Sequence, residues 1–184
     1  MNATELAVTG ALLLHTPYRP DTRGSFGKPF SVETSALLPG FDVAEMFWSR
    51  SAAGVVRGLH FQDPPTAVAK LVFVTRGRIR DVVLDLRVDS ATYRRHAAVE
   101  LDEAGGTVFV PVGCAHGFEV LDGPAVTCYL QSGGFDPATD AGVRWDSAGI
   151  DWTTTEPLLS ERDQALPALE GLAGLTEAEW NRHD

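Results

Sequence analysis

One histidine, His60, stands in an apolar, strand-like run, Arg57-Gly58-Leu59-His60-Phe61-Gln62, and the turn-forming Asp63-Pro64-Pro65 follows at once. Side chains alternate along an extended segment. Gly58, His60 and Gln62 are therefore expected on one face and Arg57, Leu59 and Phe61 on the other, unless Gly58 permits a bulge. An imidazole changes charge near neutral pH, so a ring set into a sheet is a candidate acid or base. Taken alone, His60 reads as a core histidine with its nitrogens hydrogen-bonded, and its neighbours have to decide the matter.

The second embedded histidine is His116, in Pro111-Val112-Gly113-Cys114-Ala115-His116-Gly117-Phe118, where a proline and glycines bend the backbone next to the ring. His15, His96 and His183 lie beside polar or terminal residues and read as surface. Lys70, Asp81, Asp85 and Tyr129 are polar residues set into apolar strands. Burying an unpaired charge is costly, so these are expected to be paired or to line a cavity. For Lys70 a plain surface position is an equal alternative. Asp163 has a local explanation too, since Ser160 can cap a short helix with Asp163 in its first turn.

Several chemistries lack their residues. No G-x-G-x-x-G follows a strand, no phosphate-binding loop pattern occurs, and no Gly-x-Ser-x-Gly elbow is present. No cofactor is expected. A metal site needs more ligands than His60 and its immediate neighbours supply, so none is expected either. Fifteen basic against 25 acidic residues give a formal charge of −10, which argues against nucleic acid or an anionic membrane as the main partner. Cys114 and Cys128 have no paired spacing, which fits a reducing compartment. The N-terminal segment has neither a basic start nor an apolar run long enough for a signal or a span, so a cytoplasmic protein is expected. What remains is acid–base chemistry without a metal.

The elements that must position these groups are short. Apolar runs rich in Val, Leu and Phe recur between turn-forming clusters, the pattern of an all-β sandwich or barrel in one domain spanning 1–184. Strands are expected over 12–14, 30–34, 44–51, 55–62, 69–75, 78–87, 96–101, 107–110, 117–121 and 125–131. Arg76-Gly77 is read as a hairpin turn and Asp122-Gly123-Pro124 as another. From 136 to 167 the chain is expected to be loop-rich, with Trp145 and Trp152 as packing anchors. Thr176 and Glu179 have capping-box spacing, which predicts a short C-terminal helix.

Gly105, Pro111, Gly113 and His116 match the second motif of the cupin superfamily, a small jelly-roll barrel. Read with Lys70-Leu71-Val72, the run Asp81 to Arg87, Tyr129, Gly142-Val143-Arg144-Trp145 and Leu159-Ser160-Glu161-Arg162-Asp163, the chain resembles the dTDP-4-dehydrorhamnose 3,5-epimerase branch of the cupins from about Asp21 to Pro167. The resemblance implies inversion of the carbons flanking the ketone of a nucleotide-linked 4-keto-6-deoxy sugar. By position, His60 would be the base, Asp163 its carboxylate partner, Tyr129 the acid on the opposite face and Lys70 the cation at the enolate oxygen. Arg23, Phe26, Lys28, Arg57, Gln62, His116, Asp140 and Arg162 would hold the substrate. A homodimer is implied, in which the N-terminal segment completes the partner's nucleotide site.

The chain departs from the family where Lys28 stands in place of a glutamate and Glu45-Met46-Phe47 in place of a Gln-x-Asn group. Those departures leave the nucleotide base open. A single-carbon epimerase acting on a GDP- or CDP-linked sugar stays open beside the main reading, as do a cupin ketoisomerase, a metal-dependent cupin enzyme and a non-catalytic sugar-binding cupin.

Overall fold

A computed structural model describes residues 2–182; His183, read as surface from the sequence, lies outside them. Two long strands organise the molecule, β7 (Lys70–Asp85) and β10 (Cys114–Gln131), and they pair antiparallel from Cys114↔Asp85 to Gln131↔Lys70. Each serves two half-sheets. The first part of β7 pairs with β9 (Thr107–Val110) and its second part with β8 (His96–Leu101). The first part of β10 pairs with β6 (Val56–Gln62) and its second part with β5 (Glu45–Ser51). Strands β1 (Asn2–Glu5) and β2 (Leu12–His15) extend the sheet beyond β9, and β11 (Asp140–Gly142) extends it beyond β6. The result is the expected all-β jelly roll, with an exposed hairpin, β3 (Tyr18–Asp21) and β4 (Gly24–Gly27), beside it.

Two expected turns are therefore not chain reversals. Gly77, at φ +77°, and Asp122-Gly123-Pro124 face each other across the β7–β10 ladder, and a Cβ on Gly77 would lie 2.6 Å from the Asp122 carbonyl oxygen. The register shifts there, between Val120 and Thr127. The breaker residues bend two paired strands around one corner, so four predicted strands become two. The segment 30–34, expected as a strand, instead holds the short helix α1 (Val32–Ser35). Ser31 and Thr34 form a reciprocal capping box that outweighs the strand preference of Val32 and Thr34.

Strand parity sorts the core. On β7, Val72, Val74, Ile79 and Val83 face the barrel interior with Val108, Phe118, Val120 and Tyr129. Val82 and Leu84 face outward, against Leu59, Phe61, Val143, Leu169 and Trp180. The C-terminal half thus forms a cover on the outer face of the sheet. Trp152 belongs to that cover and donates its Nε1 hydrogen to the Trp145 carbonyl. A buried carboxylate ties the cover down, for Glu119 accepts from the backbone amides of Thr153 and Thr154 and from the Thr153 hydroxyl. Helix α2 (Glu161–Gln164) follows, capped by Ser160, and the expected terminal helix is α3 (Glu177–Trp180) with Thr176 and Glu179 as its box. Among the described residues no helix is long and apolar enough to cross a membrane.

Candidate active site

The interior parity that places Val72 and Val74 in the core also points Lys70 inward, and the parity of Cys114, Phe118 and Val120 does the same for His116. These polar groups meet in a cavity of about 170 Å³ lined by Phe47, Ser49, Arg57, His60, Lys70, His116, Gly117, Phe118 and Tyr129. Larger hollows of about 610 and 510 Å³ lie elsewhere on the surface but contain neither embedded histidine. Of the two histidines read as surface and described, His15 is exposed and bonded to Thr4, and His96 is half-buried; neither lines the cavity.

Arg57 and His60 share the cavity because β6 carries an extra residue. His116 pairs with His60 and Phe118 with Arg57, so two steps on β10 answer three on β6. Gly58 absorbs the difference at φ +112°, and a Cβ there would stand 2.7 Å from the His116 carbonyl oxygen. Leu59 and Phe61 keep to the outer core, as alternation requires.

His60 Nε2 lies 2.5 Å from Asp163 Oδ1, with the His60 side chain 28% exposed and that of Asp163 4%. Asp163 is at once the first-turn residue of α2 and the partner of His60, so the two readings of its sequence position are both realised. With Nε2 taken, Nδ1 is the nitrogen left for a reactant. Burial pulls His60 below the usual imidazole value, against the opposing pull of Asp163. Burial would raise Asp163, but the contacts from His60, Ser160 and Arg162 outweigh it and hold the carboxyl below its usual range. The dyad is therefore a neutral imidazole held by an ionised carboxylate at pH 7.

Lys70 sits at the start of β7 with Nζ 3.4 Å from the His60 carbonyl, and burial lowers its pKa to about 8. Behind the cavity a second pair forms: His116 Nε2 stands 2.7 Å from Asp81 Oδ2, both side chains fully buried. Tyr129 is buried on β10, its ring 6.0 Å from that of His116, and burial pushes its phenol well above the ordinary value. Arg57 donates through Nε to Ser51.

The remaining expected binding residues lie outside the cavity lining. Asp140, on β11, accepts from Arg162 at 2.6 Å, and Arg162 also approaches Asp163 at 3.6 Å, so this pair borders the dyad. Gln62 is occupied structurally, joining Thr66, Gly134 and Asp136. Arg23, Phe26 and Lys28 are exposed on or just after the β3–β4 hairpin, with Arg23 paired to Asp21. Sequence reasoning missed Phe47 and Ser49 as lining residues. Their signal was the parity of the strand ending at Ser51, which is usable only once its pairing with β10 is known. Among the described residues no group of three His, Cys, Asp or Glu is placed to hold a metal.

A single cavity thus offers a carboxylate-held base, a cation and a phenol, the set needed to move a proton next to a carbonyl. A family model described as dTDP-4-dehydrorhamnose 3,5-epimerase matches residues 5–171. The dTDP-4-dehydrorhamnose 3-epimerase of Streptomyces niveus is 40% identical over 89% of this chain and 82% of its own length. The 3,5-epimerase of Mycolicibacterium smegmatis is 36% identical over 92% of this chain and 86% of its own. The crystal structure of NovW, a 4-keto-6-deoxy sugar epimerase from the novobiocin cluster of Streptomyces spheroides, superposes with a TM-score of 0.88 at 39% identity, covering 97% of this chain and 94% of that one. On these matches the chain belongs to the dTDP-4-dehydrorhamnose 3,5-epimerase family and is an isomerase.

Proposed function

We propose that the protein inverts a carbon beside the ketone of a dTDP-linked 4-keto-6-deoxy sugar, with His60 as base and Tyr129 as acid. The hydrogen next to a ketone is weakly acidic, so its removal needs a base and a positive group at the oxygen that gains charge. Nδ1 of His60 takes the proton while Asp163 holds the ring and stabilises the imidazolium. Lys70 faces the enolate oxygen, with His116 beside it. Tyr129 then gives its O–H proton to the opposite face and regains one from water. The observation that carries this reading is the 2.5 Å contact of His60 with Asp163 in a cavity that also holds Lys70 and Tyr129.

The cavity, at about 170 Å³, has room for a hexose but not for a whole nucleotide sugar. The nucleotide then lies outside it, near Arg162 and Asp140. Arg23, Phe26 and Lys28 on the exposed hairpin reach the site of a second protomer, giving a cytoplasmic homodimer. Mixing inactive His60→Ala and Arg23→Ala protomers tests this, because a shared site regains turnover on mixing and a self-contained one does not.

The S. niveus relative is named a 3-epimerase and the M. smegmatis one a 3,5-epimerase. Incubation with dTDP-4-keto-6-deoxyglucose in D2O, followed by proton NMR, tests the function and counts the carbons involved. Deuterium at C3, C5 or both is expected. Exchange only with a GDP- or CDP-linked analogue would move the base assignment, and binding without exchange would leave a sugar-binding protein.

A further inference from the structure

Phe47 stands directly opposite Tyr129 in the β5–β10 ladder. The two rings are stacked, with centroids 4.6 Å apart and planes 15° from parallel. Phe47 is 39% exposed and Tyr129 8%. The phenylalanine thus covers one face of the tyrosine ring and lines the cavity beside it. The Tyr129 hydroxyl has Ser49 as its polar neighbour. Ser49 favours the phenolate, against burial, but its Oγ stands too far or too poorly aligned for a well-formed hydrogen bond. The ring is held by packing, with Phe47 on its face and the edge of His116 at the side.

We propose that Phe47 is a positioning residue for the acid: its ring fixes the Tyr129 phenol toward the sugar. The inference rests on the epimerase reading above. Once His60 has broken the C–H bond and holds the proton as N–H, the enolate has two exits. Tyr129 gives its proton to the opposite face, which inverts the carbon, or His60 returns one to the original face. In D2O, once the captured proton has exchanged with solvent, the second exit leaves deuterium at a carbon of unchanged configuration. The ratio of that retained product to the inverted one depends on where the phenol sits and not on how much folded enzyme is present.

The test compares wild type with Phe47→Ala, Phe47→Leu and Phe47→Tyr on dTDP-4-keto-6-deoxyglucose in D2O, with product configuration and deuterium read by NMR. Phe47→Ala is expected to raise the retained-to-inverted ratio about tenfold, a fraction of what a general acid contributes. Phe47→Leu should fall between, and Phe47→Tyr, which keeps a stacked ring, should return the ratio to wild type. An unmoved ratio in both Phe47→Ala and Phe47→Leu overturns the proposal, as does an equal rise in Phe47→Tyr. Absence of deuterium from the wild-type reaction, with the GDP- and CDP-linked analogues inert as well, is a different result and overturns the epimerase reading itself.

Discussion

Arg57 and His60 look into one cavity although three positions separate them on β6, because Gly58 and Leu59 together stand against the single Gly117 of β10. The arrangement depends on a glycine at φ +112° whose missing Cβ leaves room for the His116 carbonyl and Gly117 Cα, each 2.7 Å away. Gly58→Ala is expected to cost about 2–4 kcal/mol of stability. It should also lower turnover per folded molecule by moving His60 relative to Arg57. Chemical denaturation set beside kcat on the folded fraction separates the two losses.

The rate should follow a bell-shaped dependence on pH. In the proposed reaction His60 is a neutral base, and its pKa lies below the usual imidazole value, so activity is expected to be full above that value and to fall as pH drops through it. In the same proposal Lys70 serves as a cation, with a pKa of about 8, so activity is expected to decline as pH rises through about 8. A kcat/KM profile on free enzyme reads both limbs, and Lys70→Met should remove the alkaline one together with most of the rate.

Asp163→Asn keeps the size of the side chain but removes the carboxylate from His60 Nε2. The rate is expected to fall about 10²- to 10⁴-fold. The carboxylate's pull raises the histidine, so without it the acid limb should move to lower pH. An acid limb that stays in place would mean that Asp163 does not govern the ring.

Away from the site, Asp85 and Arg87 form a buried pair, with Arg87 Nε 2.8 Å from Oδ1, and Ser90 and Thr92 donate to the same carboxylate. Burial would raise Asp85, but these bonds together hold it below the usual carboxylate range. Its contribution is thus present above the unfolded-state pKa and lost as pH falls through the lower folded-state value. Arg87→Met leaves the carboxylate in the core with fewer partners, at a cost of about 3 kcal/mol, or roughly 6–12 °C in Tm. Thermal melts against pH check both statements.

Much of this architecture was legible because its signals were local. His60, Lys70, Asp81 and Tyr129 stood out as polar residues at apolar positions, and the C-terminal capping box marked α3 correctly. The sequence misled where a local signal had a non-local use. Gly77 and Asp122-Gly123-Pro124 carry turn chemistry, yet each bends a strand whose partner bends with it, and a partner cannot be read from one segment. Phe47 went unnoticed as a lining residue for the same reason, since only its pairing with Tyr129 gives it a role. The double use of Asp163, as helix residue and imidazole partner, needed residues 103 positions apart to meet.

The continuity of β7 and β10 through the barrel corner has an evolutionary corollary. Lys70 and Asp81 ride on one of these strands and His116 and Tyr129 on the other, so a single backbone ladder spaces all four, with His60 one strand away. The outlying β3–β4 hairpin stands apart from that ladder. Descendants of such an enzyme can vary the hairpin while these four side chains stay in register.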